Sequence, residues 1–226
     1  MEYIFYAYIT FLDYYLREDI FIASPPPKTK VLSTQSVTEK KQQFYKLILP
    51  PLQDVHTQLQ KQYLEIKKNI DNPAYKEKIT KLKKIYKVTT DEALLMALKP
   101  HPISIALAQA AMESAWGTSR FFHEANNIFG MWSVSKNEKR IPANEQRKGK
   151  YTIWLKKFDS LEESIQAYYL TLSRSKAYKK FRKLNYETDD VYTIIKGLTS
   201  YSERGEKYVK ELANMISYNH FTQYDK

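Results

Sequence analysis

Hydrophobic positions recur at the spacing of an α-helix along most of the chain. After the tandem prolines Pro50 and Pro51, apolar residues lie three or four positions apart with lysine and glutamine between them: Leu52, Val55, Leu59, Tyr63 and Ile66. Residues at that spacing share one helical face, so the pattern predicts an amphipathic helix. The prolines predict a break in it, because proline lacks a backbone N–H and clashes with the preceding turn.

Four further apolar stripes predict helices in the rest of the chain. They are Tyr75, Ile79, Leu82 and Tyr86; Leu161, Ile165, Tyr169 and Leu172; Val191, Ile194, Ile195 and Leu198; and Tyr208, Leu212, Met215 and Ile216. Thr89 and Glu92 fit a capping box that would open another short helix with Leu94, Leu95 and Leu98.

The most apolar predicted helix begins near Pro102 and carries Glu113 near its end. Its length is almost all alanine, leucine and isoleucine, and small residues let a neighbouring helix approach closely. We therefore expect it to be central and buried. Gly117 is a plausible terminator, and Thr118 or Ser119 can cap a short helix that follows through Ala125.

The period of the pattern changes between Met131 and Phe158. Tyr151, Ile153 and Leu155 alternate with polar residues, which is typical of a strand, and the polar loop 135–150 separates them from "MWSV". The sequence therefore predicts a fold of the α+β class, mostly α, in which a helical domain carries a small β-hairpin lobe and an N-terminal helical extension.

Composition divides the chain into three parts. Residues 1–38 hold the apolar run "YIFYAYITFL" and a linker rich in proline, serine and threonine, residues 39–90 form the helical extension, and residues 91–226 form the main domain. The apolar run is too short to span a bilayer. Two interpretations of it stand: a degenerate signal peptide, or an amphipathic helix that packs on protein or associates peripherally with a membrane.

Charge and residue usage narrow the function classes. The formal net charge is +11, which favours an anionic partner such as nucleic acid, anionic lipid or a cell-wall polymer. Cysteine is absent, so thiolate chemistry is excluded. The four histidines show no metal-ligand spacing, and glycine-rich phosphate loops and GxSxG motifs are missing. We expect no metal and no cofactor.

The candidate chemistry lies in "ESAWGTSRFFHEANNIFGMW", which begins at Glu113. A carboxyl group that protonates a leaving oxygen at neutral pH needs a raised pKa, and burial against aromatic walls raises it. Trp116 would share the face of Glu113 if the helix continued. The alternative is an ordinary surface glutamate near a helix end. It is weakened by the apolar turns that precede Glu113.

Polar and aromatic residues after Glu113 have two interpretations each. Asn126 and Asn127 offer amide groups to a ligand or hold a turn. Phe129, Trp132 and Tyr151 form a stacking wall or belong to the core between helix and hairpin. The sequence leaves both pairs of alternatives open.

These residues resemble a known family. The stretch "SIALAQAAMESAWGTSRFFHEANNIFGMW" is similar to the glucosaminidase domain of bacterial peptidoglycan hydrolases, in particular the Bax-like branch. The later segments "FDSLEESIQAYYLTLSRSKAYKKFR" and "YSERGEKYVKELANMISYN" and the lead-in "FYKLILPPLQDVHTQL" also resemble that branch. The resemblance covers roughly residues 39–220 and is strongest from residue 92 onward.

The resemblance implies a lysozyme-like α+β fold and hydrolysis of β-1,4 glycosidic bonds in peptidoglycan on the N-acetylglucosamine side. Glu113 matches the family's catalytic glutamate and would be the general acid. Glu145 is the best match to a second carboxylate on the β lobe, and Glu138 is a poorer one. The departures from the family pattern are Met112, Ala115 and Met131, of which Met131 puts local packing in doubt.

The resemblance also implies that Tyr201, Asn127 and Phe129 lie at or shape the substrate cleft. The indole rings of Trp116 and Trp132 complete the predicted set of substrate-binding residues. The partner would be peptidoglycan glycan strands rather than nucleic acid, the location would be the bacterial cell envelope, and we expect a monomer. The mechanism stays open between inversion, retention and assistance by the substrate's acetamido group.

Two other functions remain as alternatives to hydrolysis. One is a catalytically silent cell-wall-binding protein of the same fold, which follows from the uncertain second carboxylate. The other is a nucleic-acid binder, which rests on charge alone because no basic helix with interleaved base-reading residues is present.

Overall fold

The computed structural model describes residues 36–143 and 152–225. The apolar segment and the linker before Ser36, as well as Glu145 and Tyr151, lie outside these ranges. The described chain is mostly helical and carries one small antiparallel sheet, which confirms the predicted α+β class and its lysozyme-like fold. Within the described ranges, the helices are too short or too polar to cross a membrane.

The helices and strands follow in chain order. They are α1 (Val37–Lys68), α2 (Lys76–Tyr86), α3 (Asp91–Leu98), α4 (Ile103–Glu113), α5 (Arg120–Ala125), β1 (Arg140–Pro142), β2 (Trp154–Lys156), α6 (Leu161–Arg174), α7 (Lys179–Glu187), α8 (Val191–Ile194) and α9 (Glu206–Tyr218). Short 3-10 segments occur at Pro73–Tyr75, Lys176–Tyr178, Ile195–Leu198 and Phe221–Tyr224.

The first helix runs without interruption through both prolines. Pro50 and Pro51 lie inside α1, so the predicted break at these residues is wrong. Ile48, Leu52 and Val55 lie on one face of this helix and are almost completely buried. Burial of such residues stabilises the helix by an amount that offsets the helix-breaking cost of about 3 kcal/mol for an interior proline.

Side-chain caps set the starts of several helices. Ser36 and Glu39 form a capping box at α1. The predicted box at Thr89 is wrong by one residue, because Thr90 is the N-cap of α3 and accepts from the backbone N–H of Ala93 at 3.1 Å. Ser119 caps α5 as one of the two predicted residues.

The β lobe is more elaborate than the predicted hairpin. Strand β2 pairs with β1, which comes from within the polar loop that the sequence left unstructured. The "MWSV" segment also reaches β2, since the backbone N–H of Ser133 donates to the Trp154 carbonyl at 2.7 Å. Arg120 of α5 donates to the carbonyls of Pro142 and Ala143, and so joins the lobe to the helical part.

Two hydrophobic clusters form the core. The larger one gathers the first half of α1 with α4, α6 and α9. The smaller one gathers the second half of α1 with α2 and α3. Helix α4 packs against α1, α9 and the Phe221–Tyr224 segment, and its residues from Ile103 to Ala111 are all buried, as predicted. The predicted domain boundary at residue 90 stays a prediction.

Candidate active site

Glu113 is the last residue of α4, at the point where the buried helix reaches the surface. The residues before it are buried, whereas Glu113 itself is exposed to solvent. Neighbouring protein atoms still remove part of its hydration. The carboxyl group is therefore open to a large substrate and yet lies in a poorly hydrated position.

A tyrosine from α9 forms a hydrogen bond with Glu113. The Tyr208 hydroxyl donates to Glu113 Oε1 at 3.3 Å. Burial raises the pKa of the Glu113 carboxyl above its usual value, and the Tyr208 hydrogen bond and the charge of Arg204 offset part of that rise. The pKa shift has the predicted direction, and its main cause is the loss of hydration that neighbouring protein atoms impose on the carboxyl group.

The turn after Glu113 removes Trp116 from the position that a continuing helix would give it. Ala115, Trp116 and Gly117 all have positive φ angles, of 51°, 60° and 75°. Such angles are uncommon for residues other than glycine, and for a bulky residue such as Trp116 they indicate local strain. The assumption that Trp116 shares a helical face with Glu113 is therefore wrong.

Trp116 instead packs toward the first helix. Its ring lies edge-on to Phe44 and Tyr45 of α1, with centroids 5.4 and 5.9 Å apart. The Lys41 ammonium lies 4.6 Å from the Trp116 ring centroid. The indole is partly buried in this contact, so its predicted role in binding substrate stays a prediction.

Tyr201 lies close to the Glu113 pair. Its ring stacks on Tyr208 at 5.3 Å between centroids. Burial raises the pKa of the Tyr201 hydroxyl, and the nearby groups Tyr208 and Glu113 raise it further. Tyr201 thus packs against the tyrosine that donates to Glu113.

Asn127 and Phe129 lie in the interior of the turn that follows α5. The Asn127 amide donates to the carbonyls of Met131 and Lys156, both at 2.9 Å, and accepts from the Met131 N–H at 2.8 Å. Phe129 stacks on Tyr168 at 3.9 Å. Both side chains are almost completely buried. Their contacts hold the turn and the β lobe together, which agrees with the turn and core interpretations.

The β lobe carries the remaining candidates. Trp132 is 41% exposed and pairs through its backbone with Leu155. Glu138 forms an ion pair with Lys156 at 2.9 Å. Burial works to raise the pKa of Glu138, but the Lys156 contact and the hydrogen bonds from Ser133 and Ser135 outweigh it and lower that pKa. Glu145 lies outside the described residues.

Three side chains around Glu113 were not predicted as site residues. Tyr208 looked like part of a core stripe, and Arg204 and Gln109 were not singled out. Gln109 gave a usable signal, because it is an amide side chain four positions before Glu113 on a mostly apolar helix. Tyr208 and Arg204 gave none, since they approach Glu113 from α9 and the loop before it, about ninety residues further along the chain.

Within residues 36–143 and 152–225, histidine, aspartate and glutamate side chains form no group of three that could hold a metal ion. The site as described therefore consists of one carboxyl group of raised pKa, a tyrosine that donates to it, an arginine nearby and a stacked second tyrosine. Such a group can donate a proton to a bound oxygen near neutral pH.

The sequence and this site match one protein family. Residues 94–221, more than half of the chain, match the glucosaminidase family, described as mannosyl-glycoprotein endo-beta-N-acetylglucosaminidase. The chain therefore belongs to the glucosaminidase family, and it carries a glycoside hydrolase domain.

Individual proteins are similar over comparable ranges. The chain is 30% identical to "Protein bax" of Escherichia coli strain K12 over 162 residues, which cover 66% of this chain and 57% of that protein. The chain thus spans little more than half the length of this curated relative.

Two solved structures are also similar to this chain. An N-acetylmuramoyl-L-alanine amidase from Staphylococcus aureus is 19% identical, with a TM-score of 0.51, covering 83% of this chain and 44% of that one. The catalytic domain of the autolysin Auto from Listeria monocytogenes is 21% identical with a TM-score of 0.49, covering 84% of this chain and 90% of that one. At such identities the first of these supports the fold alone.

Proposed function

We propose that this protein is a peptidoglycan hydrolase that cleaves β-1,4 glycosidic bonds on the N-acetylglucosamine side. Family membership supports glycoside hydrolysis. The observation that carries the proposal is the position of Glu113, which is solvent-exposed at the end of a buried helix and has a pKa raised by burial. A carboxyl group of this kind serves as a general acid.

In the proposed reaction, Glu113 donates its proton to the oxygen that links the two sugars. The bond between that oxygen and C1 of N-acetylglucosamine breaks, and the oxygen leaves with the proton on the next sugar. A water molecule supplies the new hydroxyl at C1, and its remaining proton returns to a base. The neutral carboxyl form of Glu113 is therefore the form that starts the reaction.

The group that assists at C1 is either a carboxylate or the substrate's own acetamido group. Glu145 is our candidate carboxylate, because its place in "PANEQRKG" resembles the family pattern and its basic neighbours favour an ionised form. Glu138 is ionised as well, but the ion pair with Lys156 already occupies it. We therefore propose Glu145 before Glu138.

The substrate would be a glycan strand of the cell envelope. We propose that Tyr201, Trp116 and Trp132 bind sugar rings, since each offers a partly or largely accessible aromatic side chain. Asn127 and Phe129 would act indirectly by holding the turn that shapes this side of the molecule. The net charge of +11 supports adsorption to an anionic wall.

The test of this function is the Glu113→Gln variant on purified peptidoglycan. The amide has the shape of the acid but no acidic proton to transfer, so turnover should fall by ~10²–10⁴-fold. Glu187→Gln is a matched control, because Glu187 is also the last residue of a helix and lies in an exposed ion pair with Lys183. A folded Glu113→Gln protein with wild-type turnover would refute the assignment. A wild-type protein that binds sacculi without cleaving them would instead indicate the silent wall-binding protein.

A further inference from the structure

A row of buried polar side chains connects Glu113 with the interior of the protein. His101 Nε2 lies 2.9 Å from the Tyr168 hydroxyl, which donates to Gln109 Oε1 at 2.5 Å. Gln109 Nε2 donates to the Tyr208 hydroxyl at 2.8 Å, and Tyr208 donates to Glu113 Oε1. The four side chains before Glu113 are at most 3% exposed.

The hydrogen bond that Tyr168 donates to Gln109 sets the direction of the other bonds in this row. A tyrosine hydroxyl has one proton, and Tyr168 gives its proton to Gln109. The Tyr168 oxygen must then accept from His101, so the Nε2 of His101 carries a hydrogen. Gln109 presents its amide N–H to Tyr208, which leaves the Tyr208 proton for Glu113. All four bonds therefore point toward Glu113 Oε1.

We propose that Gln109 and Tyr168 are positioning residues that keep the Tyr208 hydroxyl as a donor to Glu113 Oε1, so that the catalytic proton is carried by Oε2. This rests on the proposed role of Glu113 as the general acid. A proton on Oε1 would face the proton of Tyr208, whereas no hydrogen bond from a described residue reaches Oε2. The row thus selects the oxygen that delivers the proton to the substrate.

Tyr208 alone would not be held as a donor to Glu113. If the Gln109 amide were reversed, its carbonyl would accept the Tyr208 proton and Glu113 would lose its donor. In the tautomer of His101 that carries a hydrogen on Nε2, Tyr168 opposes the reversal, because its hydroxyl then needs the Gln109 carbonyl as an acceptor. Water is a poor substitute here, since Gln109 is completely buried.

The groups that face Glu113 set the pKa of its carboxyl group, so the loss of a hydrogen bond in this row can be measured as a shift of that pKa. Tyr208 on α9 and Arg204 in the loop before α9 both stabilise the charged carboxylate, and Tyr201 and Tyr168 interact with it from further away. Loss of the Tyr208 donor would therefore raise the pKa of Glu113. A general acid works in its protonated form, so the alkaline limb of the kcat/KM profile would move to higher pH.

The decisive variant is Tyr168→Phe, which removes a hydroxyl that does not contact Glu113 and leaves the aromatic ring that stacks on Phe129. We expect the alkaline limb on purified peptidoglycan to move to higher pH and kcat at the plateau to fall roughly tenfold, since misplacement of a catalytic group has costs of this order or more. Tyr208→Phe should move the limb in the same direction.

The control is Tyr169→Phe, which removes a neighbouring buried hydroxyl on the same helix whose hydrogen bond goes to the His101 backbone carbonyl rather than into the row. Its alkaline limb should coincide with the wild-type limb. A folded Tyr168→Phe protein that also coincides with wild type would overturn the proposal. If Tyr168→Phe does not fold, an unchanged Glu113 titration in Tyr208→Phe would overturn it instead.

A second measurement separates this inference from the proposed function. The carboxyl ¹³C signal of Glu113, identified by its loss in Glu113→Gln, reports the titration of this group without any turnover. An upward shift in Tyr168→Phe supports the row even if Glu113→Gln proves active and the proposed function fails. If the Glu113 titration does not shift in Tyr168→Phe and Glu113→Gln is inactive, the positioning role of the row is refuted and the proposed function is retained.

Discussion

The carboxyl group of Glu113 is exposed at the end of a buried helix, and the protein around it raises its pKa. The apolar turns before it correctly indicate a carboxyl group at the end of a buried helix with a raised pKa. Its partner could not be predicted, because the contact with Tyr208 joins residues 95 positions apart. The predicted position of Trp116 beside Glu113 was wrong, because the chain makes a left-handed turn after α4 and the indole packs against α1.

The first prediction at the residue scale concerns the second carboxylate. We expect Glu145→Gln to lower turnover by roughly 10²-fold, the order expected for a lost base or nucleophile, with little change in binding to sacculi. Glu138→Gln should stay within a few-fold of wild type, because its ion pair with Lys156 is structural. Initial rates on the same peptidoglycan preparation, with binding measured by sedimentation, give both values.

A different pattern would change the mechanism. If Glu145→Gln turns over within about threefold of wild type, well short of a lost base, the acetamido group of the substrate assists at C1. If Glu138→Gln is the inactive variant, the β lobe presents Glu138 rather than Glu145 to the sugar.

At the scale of elements, the hydrophobic stripes predicted the helices well and the boundaries less well. Apolar residues at helical spacing predict the helices because they mark the face that becomes buried, and these residues form the two core clusters. The tandem prolines were misleading, because local rules describe an isolated helix whereas α1 is held by the core over its middle turns. Strand β1 was missed because its three residues show no alternation and depend on pairing with β2.

The prolines provide a prediction about stability. Pro50 is exposed in the interior of α1, so Pro50→Ala restores a backbone N–H for the Lys46 carbonyl without loss of core packing. We expect a gain of roughly 1–2 kcal/mol, below the full propensity difference of ~3 kcal/mol because proline also restricts the unfolded chain. Denaturant unfolding measures this gain.

Pro51→Ala is the matched comparison for that experiment. Pro51 is buried in the core, so its replacement restores one N–H but also removes apolar contacts. We expect a smaller gain than for Pro50→Ala, or a net loss. A Pro50→Ala protein less stable than wild type would show that α1 uses the proline rather than tolerating it.

At the scale of the whole molecule, α1 joins the two clusters of the core. Its first half packs on α4, which carries Glu113, and its second half packs on α2 and α3. The fold class and the central position of α4 could be predicted, because both follow from hydrophobic pattern and family resemblance. The division of one helix between two clusters could not, since it depends on how distant stripes meet.

Mass spectrometry of the fragments released from purified peptidoglycan shows directly which bond the protein cleaves. We expect soluble fragments with N-acetylglucosamine at the reducing end, and none in the Glu113→Gln digest. Fragments that end in reducing or anhydro N-acetylmuramic acid, or no released fragments from folded wild-type protein, would contradict the proposed function.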